Sequence, residues 1–278
     1  MPHVFSPELV ALGEVLIDFT QAGLSPNGQA LFERNAGGAP ANVAVQAARL
    51  GMSAQFVGKV GADMHGDFLR RSLQERGVDV SSVVQDPEAF TTLAFVEVDP
   101  RTAERSFSFA RKPGADTRLF PAEVPEQAIR DCRVLHVGSL SLTDEPARAA
   151  TLHAVSIARQ AGALISYDPN YRASLWPSES EAIEQMTTLL QQADLVKINE
   201  DEALLLCGTS NPEAAAPCIL VQGAALVAVT LGSQGALVAT QAERVLVPTR
   251  PCQARDATGA GDSFWGALLF QLVHELGV

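Results

Sequence analysis

The chain has 278 residues, a hydrophobic content of 47% and a net charge of −12 at pH 7. This length fits one large α/β domain with an appendage, or two small domains. The acidic balance argues against nucleic acid and anionic membranes as partners, because both bind basic patches. The sequence contains neither an apolar run long enough to cross a membrane nor a secretory leader, so we expect a cytoplasmic protein.

Apolar runs of strand length alternate with longer amphipathic stretches along most of the chain. In chain order they predict a strand at 9–19, a helix at 41–50, a strand at 54–60, a helix at 67–76, strands at 134–137 and 164–167 flanking a helix at 145–160, a helix at 178–191, a strand at 195–198, a helix at 200–206 and a strand at 226–231. Glycines end the first two helices. This alternation predicts a mostly parallel sheet with helices on both faces.

Two segments depart from this alternation. Residues 91–98 and 105–110 alternate apolar and polar side chains around a turn at 99–102. This pattern predicts a β-hairpin with one face buried away from solvent. With residues 30–35 and the far end of the first strand, the hairpin would form a small separate sheet, built from segments near 13–35 and 90–112. Such a sheet is either a lid that excludes water or a dimer contact, and the two roles are compatible.

A turn rich in Gly and Ala, at 256–262, opens an apolar run near the C-terminus. Such a turn offers backbone N–H groups, and at the start of a helix these donors bind anions. Asp262, which ends the turn, would repel a resting phosphate. We therefore interpret it as a base that takes a proton from an attacking hydroxyl group. The segment predicts phosphoryl transfer to an alcohol.

A second marked segment lies at 35–42. The paired glycines Gly37 and Gly38 let the backbone approach a ligand closely, and Pro40 fits the first turn of a helix. The amide of Asn42 can both donate and accept hydrogen bonds, which suits sugar hydroxyls. The glycine spacing of dinucleotide-binding proteins is absent.

The sequence Gly-Gly-Ala-Pro-Ala-Asn at 37–42 and the sequence Asp-Ala-Thr-Gly-Ala-Gly-Asp at 256–262 resemble the two signatures of the ribokinase-like (PfkB) sugar kinases. The resemblance covers nearly the whole chain, and the segments 12–19, 111–116 and 166–176 are similar to fructokinases. It implies one α/β domain over residues 1–278: a ribokinase-like three-layer sandwich with a mostly parallel central sheet and a small β-sheet lid. The implied reaction is ATP-dependent phosphorylation of a primary hydroxyl group, forming fructose 6-phosphate from fructose.

The resemblance also implies a role for each matching residue. It assigns Asp262 as the catalytic base, with the backbone amides of Gly259, Ala260 and Gly261 as the anion hole. It assigns sugar binding to Asp18, Gly37, Gly38, Asn42, Arg111 and Arg172. It assigns nucleotide binding to Lys197, Thr230, Gly232 and Gly235. It implies contacts to Mg²⁺ of Mg-ATP through water for Asn199 and Glu202, and a K⁺ site at Asp256 and Thr258.

Some of these assignments have ordinary alternatives. Asn199 and Glu202 also fit a helix cap, Arg111 also fits a surface ion pair, and Asp18 also fits the exposed end of a strand. A 2-keto-3-deoxygluconate kinase and a non-catalytic sugar-binding protein are the alternative functions. ATP, a small sugar and a second copy of the chain are the expected partners. The chain ends soon after Asp262, so the resemblance also predicts a short C-terminal part and an open nucleotide pocket.

Overall fold

Two β-sheets and a set of helices make up the structure, a computed structural model that describes residues 6–98, 105–250, 258–275 and 277. The strands, in chain order, are β1 (Leu9–Leu12), β2 (Leu16–Leu24), β3 (Ala30–Gly37), β4 (Ala54–Gly61), β5 (Val83–Asp86), β6 (Leu93–Val98), β7 (Arg105–Ala110), β8 (Val134–Gly138), β9 (Leu164–Asp168), β10 (Leu195–Asn199), β11 (Leu226–Thr230), β12 (Ala236–Thr240) and β13 (Arg244–Val247). The helices are α1 (Ala39–Leu50), α2 (Met64–Glu75), α3 (Glu126–Asp131), α4 (Ala147–Ala161), α5 (Glu179–Leu190), α6 (Glu200–Cys207), α7 (Pro212–Leu220) and α8 (Ala260–Glu275).

The large sheet has the strand order β13-β12-β11-β10-β9-β8-β1-β4-β5. Its strands from β11 to β5 run parallel, whereas β12 and β13 are antiparallel to their neighbours. Most of the parallel strands are buried on both faces, which is why they read as continuous apolar runs in the sequence. The prediction of a mostly parallel central sheet is therefore confirmed.

Helices cover both faces of this sheet. Apolar side chains of α1, α2 and α8 pack on one face, and those of α3 to α7 pack on the other. Left-handed glycines end α1 at Gly51 and α4 at Gly162, as expected for residues without a Cβ atom. The predicted three-layer sandwich is thus the observed architecture. Among the helices of the described residues, none combines the length and apolarity that a bilayer crossing requires.

The small sheet has the order β3-β2-β6-β7. Strands β6 and β7 pair antiparallel, as predicted for the hairpin, and β2 pairs with β6 in parallel. The predicted turn at 99–102 lies outside the described residues. Aromatic packing within the sheet includes Phe19 and Phe95, whose rings stack with centroids 5.3 Å apart. Leu24, Leu31 and Phe32 on the same sheet are exposed.

The prediction of one strand at 9–19 is wrong. The chain leaves the large sheet after Leu12 and enters the small sheet at Leu16, so this run forms β1 and β2. Gly13 allows the change of direction, since it adopts φ +154° and donates a hydrogen bond of 3.1 Å to the carbonyl of Val57. The connection between β1 and β2 therefore joins the two sheets.

Candidate active site

The carboxyl ends of the central strands face a cleft of about 520 Å³ between the two sheets. Ligands of parallel α/β sheets bind at this edge. Most of the predicted site residues line the cleft: Asp18, Gly38, Asn42, Arg172, Lys197, Asn199, Thr230, Gly232, Thr258, Gly259, Gly261 and Asp262. The fold therefore brings segments from both ends and the middle of the sequence to one place.

Asp262 lies in the first turn of α8, which begins at Ala260 directly after Gly259. Gly259 has φ +71°, a value that favours glycine. The Asp262 side chain is buried, and its Oδ2 accepts a hydrogen bond of 2.8 Å from Nδ2 of Asn42 in α1. The two predicted signatures thus meet through a direct contact of their polar side chains.

Several charged groups act on the Asp262 carboxyl. Burial and the neighbouring carboxylate of Asp168 raise the pKa of Asp262, whereas the hydrogen bond from Asn42 and the charges of Lys197 and Arg172 lower it. The net effect is a raised pKa. A carboxylate that binds a proton more readily than usual is better suited to act as a general base.

Lys197, on β10, lies beside the first turn of α8. Its Nζ is 2.9 Å from Oδ2 of Asp168, and both side chains are buried. Burial alone would lower the pKa of Lys197, but the charges of Asp168 and Glu202 raise it, so the ammonium stays charged. A Cβ atom on Gly261 would lie 3.0 Å from this Nζ. The lysine charge and the N-terminus of α8 therefore both attract anions to this part of the cleft.

Asp18, on β2, is packed against the paired glycines. A side chain on Gly37 would overlap the Asp18 carboxylate, and a side chain on Gly38 would overlap the backbone at Glu14 and Val15. The glycines are thus needed for the close approach of β2 and the β1–β2 connection to the start of α1. Gly37 lies behind the Asp18 carboxylate and is not part of the cleft wall.

Glu14 is a cleft residue to which the sequence analysis gave no role. Its Oε1 accepts a hydrogen bond of 3.0 Å from the backbone N–H of Ala39, at the start of α1. Gly38 precedes that helix and has no side chain to cap it, so Glu14 provides the acceptor from the other segment. Burial raises the pKa of Glu14 to about 7. A carboxyl group directly after a buried strand was the available signal, as it was for Asp18.

The two residues predicted to contact Mg²⁺, Asn199 and Glu202, differ in their position relative to the cleft. Asn199 and Glu202 form a reciprocal helix cap, with hydrogen bonds of 2.9 Å from the Asn199 N–H to Glu202 and 2.8 Å from the Glu202 N–H to Asn199. The second Glu202 oxygen accepts a hydrogen bond of 2.9 Å from the Tyr171 N–H. Glu202 is buried and does not line the cleft, and its contact to Mg²⁺ through water stays a prediction. Instead, Glu200 and Asp201 line the cleft beside Asn199.

The predicted nucleotide-binding turn follows β11. Thr230 and Gly232 line the cleft, and Gly232 has φ +54°. Gly235, in contrast, packs against the backbone of Val247 in β13, where a side chain would overlap the Val247 carbonyl. Gly235 therefore shapes the turn from behind and does not face the cleft.

The two predicted arginines differ in environment. Arg172 lines the cleft. Arg111 is buried behind the wall, and its guanidinium donates hydrogen bonds of 2.8 Å to Asp116, Thr143 and the carbonyl of Leu140. Because its donors are used in this way, the expected contact of Arg111 with the sugar is not met in this arrangement. Arg111 instead stabilises the base of the small sheet.

The predicted K⁺ site is only partly within the described residues. Thr258 lines the cleft, but Asp256 lies outside the described part of the chain. Among the residues that the structure describes, no group of three or more His, Cys, Asp and Glu side chains could hold a metal ion by itself.

Comparisons with known proteins identify the family that the chain resembles over most of its length. The family model described as pfkB family carbohydrate kinase matches residues 6–278. Fructokinase-1 of Oryza sativa subsp. japonica is 45% identical over 270 residues, which cover 96% of this chain and 83% of the rice protein. Probable fructokinase-4 of Arabidopsis thaliana is 42% identical over 273 residues, which cover 97% of this chain and 83% of the relative.

Solved structures are similar over the same length. The fructokinase of Xylella fastidiosa with bound ATP has a TM-score of 0.87 and 37% identity, covering 96% of this chain and 81% of that one. The fructokinase of Vibrio cholerae O395 with fructose, ADP and a calcium ion has a TM-score of 0.86 and 34% identity, covering 96% and 84%.

Proposed function

This chain belongs to the pfkB family of carbohydrate kinases, and we propose that it is an ATP-dependent fructokinase that forms fructose 6-phosphate and ADP. One observation carries the proposal. The buried carboxyl of Asp262 is held by Asn42 at the N-terminus of a helix, in the same cleft as Asp18 and Lys197. The fructokinase names of the relatives support fructose as the sugar.

In this proposal, Asp262 takes the proton of the primary hydroxyl group while that oxygen attacks the γ-phosphorus of ATP. The new P–O bond forms as the bond from the γ-phosphorus to its bridging oxygen breaks, and the electron pair of that bond stays on ADP. The backbone amides at 259–261 and the ammonium of Lys197 stabilise the charge on the transferred group. Asp18, Gly38 and Asn42 orient the sugar.

ATP enters as its complex with Mg²⁺, which neutralises phosphate charge. Mg²⁺ keeps several of its waters, so protein oxygens are needed only around that shell. We assign this contact to Asn199, with Glu200 and Asp201 in place of the capping residue Glu202. We propose a K⁺ site at Thr258 and Asp256. A Vibrio cholerae O395 fructokinase variant has been solved with fructose, ADP and a potassium ion.

The charge of the cleft favours a neutral sugar over a sugar acid. Carboxyl groups predominate on its walls, since it is lined by Glu14, Asp18, Glu200, Asp201 and Asp262. Among the described residues, the walls carry two cations, Arg172 and Lys197, and Lys197 already pairs with Asp168. Arg111, which would suit the carboxylate of 2-keto-3-deoxygluconate, is enclosed behind the wall.

The small sheet is proposed to act as a lid and as a homodimer contact. Leu16, Asp18 and Phe109 of this sheet line the cleft, so its movement would change access of water to the sugar. The exposed apolar residues of the sheet suit a second copy of the chain. We also propose a cytoplasmic location, because ATP is the donor and the cysteines of the described residues are free thiols.

The test is a coupled assay of ADP release with fructose, ribose, glucose and 2-keto-3-deoxygluconate. We expect the highest kcat/KM with fructose. Asp262→Asn should lower kcat about 10²- to 10⁴-fold, the usual contribution of a general base. Asp131→Asn, which changes an exposed carboxylate at the end of α3, is the control. Near-normal phosphorylation by Asp262→Asn would contradict the mechanism, and a preference for the sugar acid would contradict the substrate.

A further inference from the structure

A buried chain of three polar side chains lies behind the cleft. Trp265, in α8, donates a hydrogen bond of 2.8 Å from its indole Nε1 to Oγ of Ser166 on β9. The same Oγ is 2.9 Å from Nδ1 of His136 on β8. All three side chains are fully buried. The chain thus connects helix α8 to two adjacent strands of the large sheet.

The direction of these hydrogen bonds follows from the groups involved. An indole N–H can only donate, so Ser166 is the acceptor from Trp265 and its own hydrogen is available for His136. Burial lowers the pKa of His136 to about 4. The imidazole is therefore neutral near pH 7, and its Nδ1 can accept the bond from Ser166.

The position of this chain relates it to the catalytic machinery. Trp265 follows Asp262 by one turn of α8, so the two side chains lie on neighbouring parts of the same helix. Ser166 precedes Asp168 by two residues in β9, so both side chains point to the same face of the strand. A bond from Trp265 to Ser166 therefore connects the helix turn that bears Asp262 to the strand that bears Asp168.

Electrostatic repulsion between Asp262 and Asp168 gives the hydrogen bond from Trp265 to Ser166 a structural role. The carboxylate of Asp168 raises the pKa of Asp262, which shows that the two carboxyl groups interact unfavourably when both are charged. A helix held only by apolar packing could move outward and relieve that interaction. A directional bond from a fully buried ring resists such a movement, because breaking it leaves a buried indole N–H without an acceptor.

We infer that the Trp265–Ser166–His136 chain positions the Asp262 carboxyl relative to Asp168 and Lys197, at the distance that the proposed phosphoryl transfer needs. The inference rests on the proposed function. Trp265, Ser166 and His136 are positioning residues, since they act on the reaction through Asp262. The groups that face Asp262 and would report a displacement are Asn42 of α1, Asp168 of β9, Lys197 of β10, and Arg172 in the segment that follows β9.

The test uses Ser166→Ala, which removes one oxygen atom and both hydrogen bonds, and Trp265→Phe, which removes the indole donor. Trp176→Phe is the matched control, because Trp176 is also a buried tryptophan but its Nε1 finds no hydrogen-bond partner among the described residues. We expect kcat with fructose and ATP to fall about 10- to 100-fold in both test variants, as for a small displacement of a reacting group. The KM for fructose should stay within about twofold and the control should keep its kcat.

A second readout separates positioning from simple stabilisation. If Asp262 moves away from Asp168 and towards solvent, its pKa should fall, and the acidic limb of the kcat/KM profile should shift to lower pH in both test variants. A lower melting temperature with unchanged kcat and an unchanged limb would overturn the inference.

The same titration can be followed without turnover, by NMR of protein with ¹³C-labelled aspartate and assignment from Asp262→Asn. A wild-type chain that phosphorylates no sugar would contradict the proposed function. The NMR titration of Asp262 in Ser166→Ala would still decide the positioning role, because an unchanged pKa there overturns it.

Discussion

The substitution Gly38→Ala should destabilise the protein more than the same change at Gly51. The two glycines flank α1 and have nearly equal φ values, +109° and +108°. A Cβ atom on Gly51 would meet no atom of the described part of the chain within 4 Å, whereas one on Gly38 would overlap the carbonyl of Glu14 and lie 2.9 Å from the Cα of Val15. Gly38 also has ψ 121°, whereas Gly51 is in the left-handed region at ψ 4°.

The magnitudes follow from these two differences. Backbone strain at a positive φ should cost Gly51→Ala about 1–3 kcal/mol. The overlap at Gly38 adds a packing cost of about 1–3 kcal/mol, because the obstructing atoms belong to the backbone and cannot rotate away. Urea denaturation of both variants and the wild type at one pH gives the free energies of unfolding. Equal losses in the two variants would refute the view that close packing of Glu14 on Gly38 fixes the start of α1.

Three further changes test the site and the base of the small sheet. Asn42→Ala should raise the pKa of Asp262, because the hydrogen bond from Asn42 lowers it, and the acidic limb of kcat/KM should move to higher pH; an unmoved limb would contradict this. Burial raises the pKa of Glu14 from 4.5 to about 7. Between these pH values the folded state holds a proton that the unfolded state releases. The free energy of unfolding should therefore decline from about pH 4.5 to pH 7 by up to about 3 kcal/mol. Glu14→Gln should flatten that decline in urea denaturation at pH 5 and pH 8, and parallel curves would contradict the assignment. Arg111→Met leaves the buried carboxylate of Asp116 unpaired and should lower the free energy of unfolding by about 3–5 kcal/mol. The control Arg130→Met removes an exposed ion pair and should lower it by less than about 1 kcal/mol. Thermal unfolding measures both variants, and equal effects would contradict the structural role of Arg111.

The sequence predicted the central strands and most helices because their signals are local. Buried parallel strands produce uninterrupted apolar runs, and glycines with positive φ end helices at positions such as Gly51. The break after Leu12 was missed, because the apolar pattern continues through it into the second sheet. Strands β12 and β13 were also missed; the side chains of β13 are exposed, so its sequence lacks the pattern of a buried strand.

The sequence also predicted part of the candidate active site, but not how each side chain is engaged. Residue types and spacing were enough to select Asn42 and Asp262, and the family resemblance added Asp18. The fold brings these three residues to one cleft. They could not show which partners a side chain finds elsewhere in the chain. Arg111 is neutralised by an aspartate behind the wall, and Glu202 accepts hydrogen bonds from two backbone amides. Sequence spacing alone does not distinguish such engaged groups from ones that face a ligand.

The hydrogen bond between Asn42 and Asp262 joins residues that are 220 positions apart in the sequence. The first strand, β1, likewise lies between β4 and β8, and β8 begins only at Val134. Contacts of such long range form slowly, since much of the chain must be ordered before they can close. During synthesis, α1 leaves the ribosome long before α8. The sugar-binding residues near α1 are therefore made well before the helix that bears Asp262. Catalytic competence therefore arises only after the chain has been made and folded as far as α8.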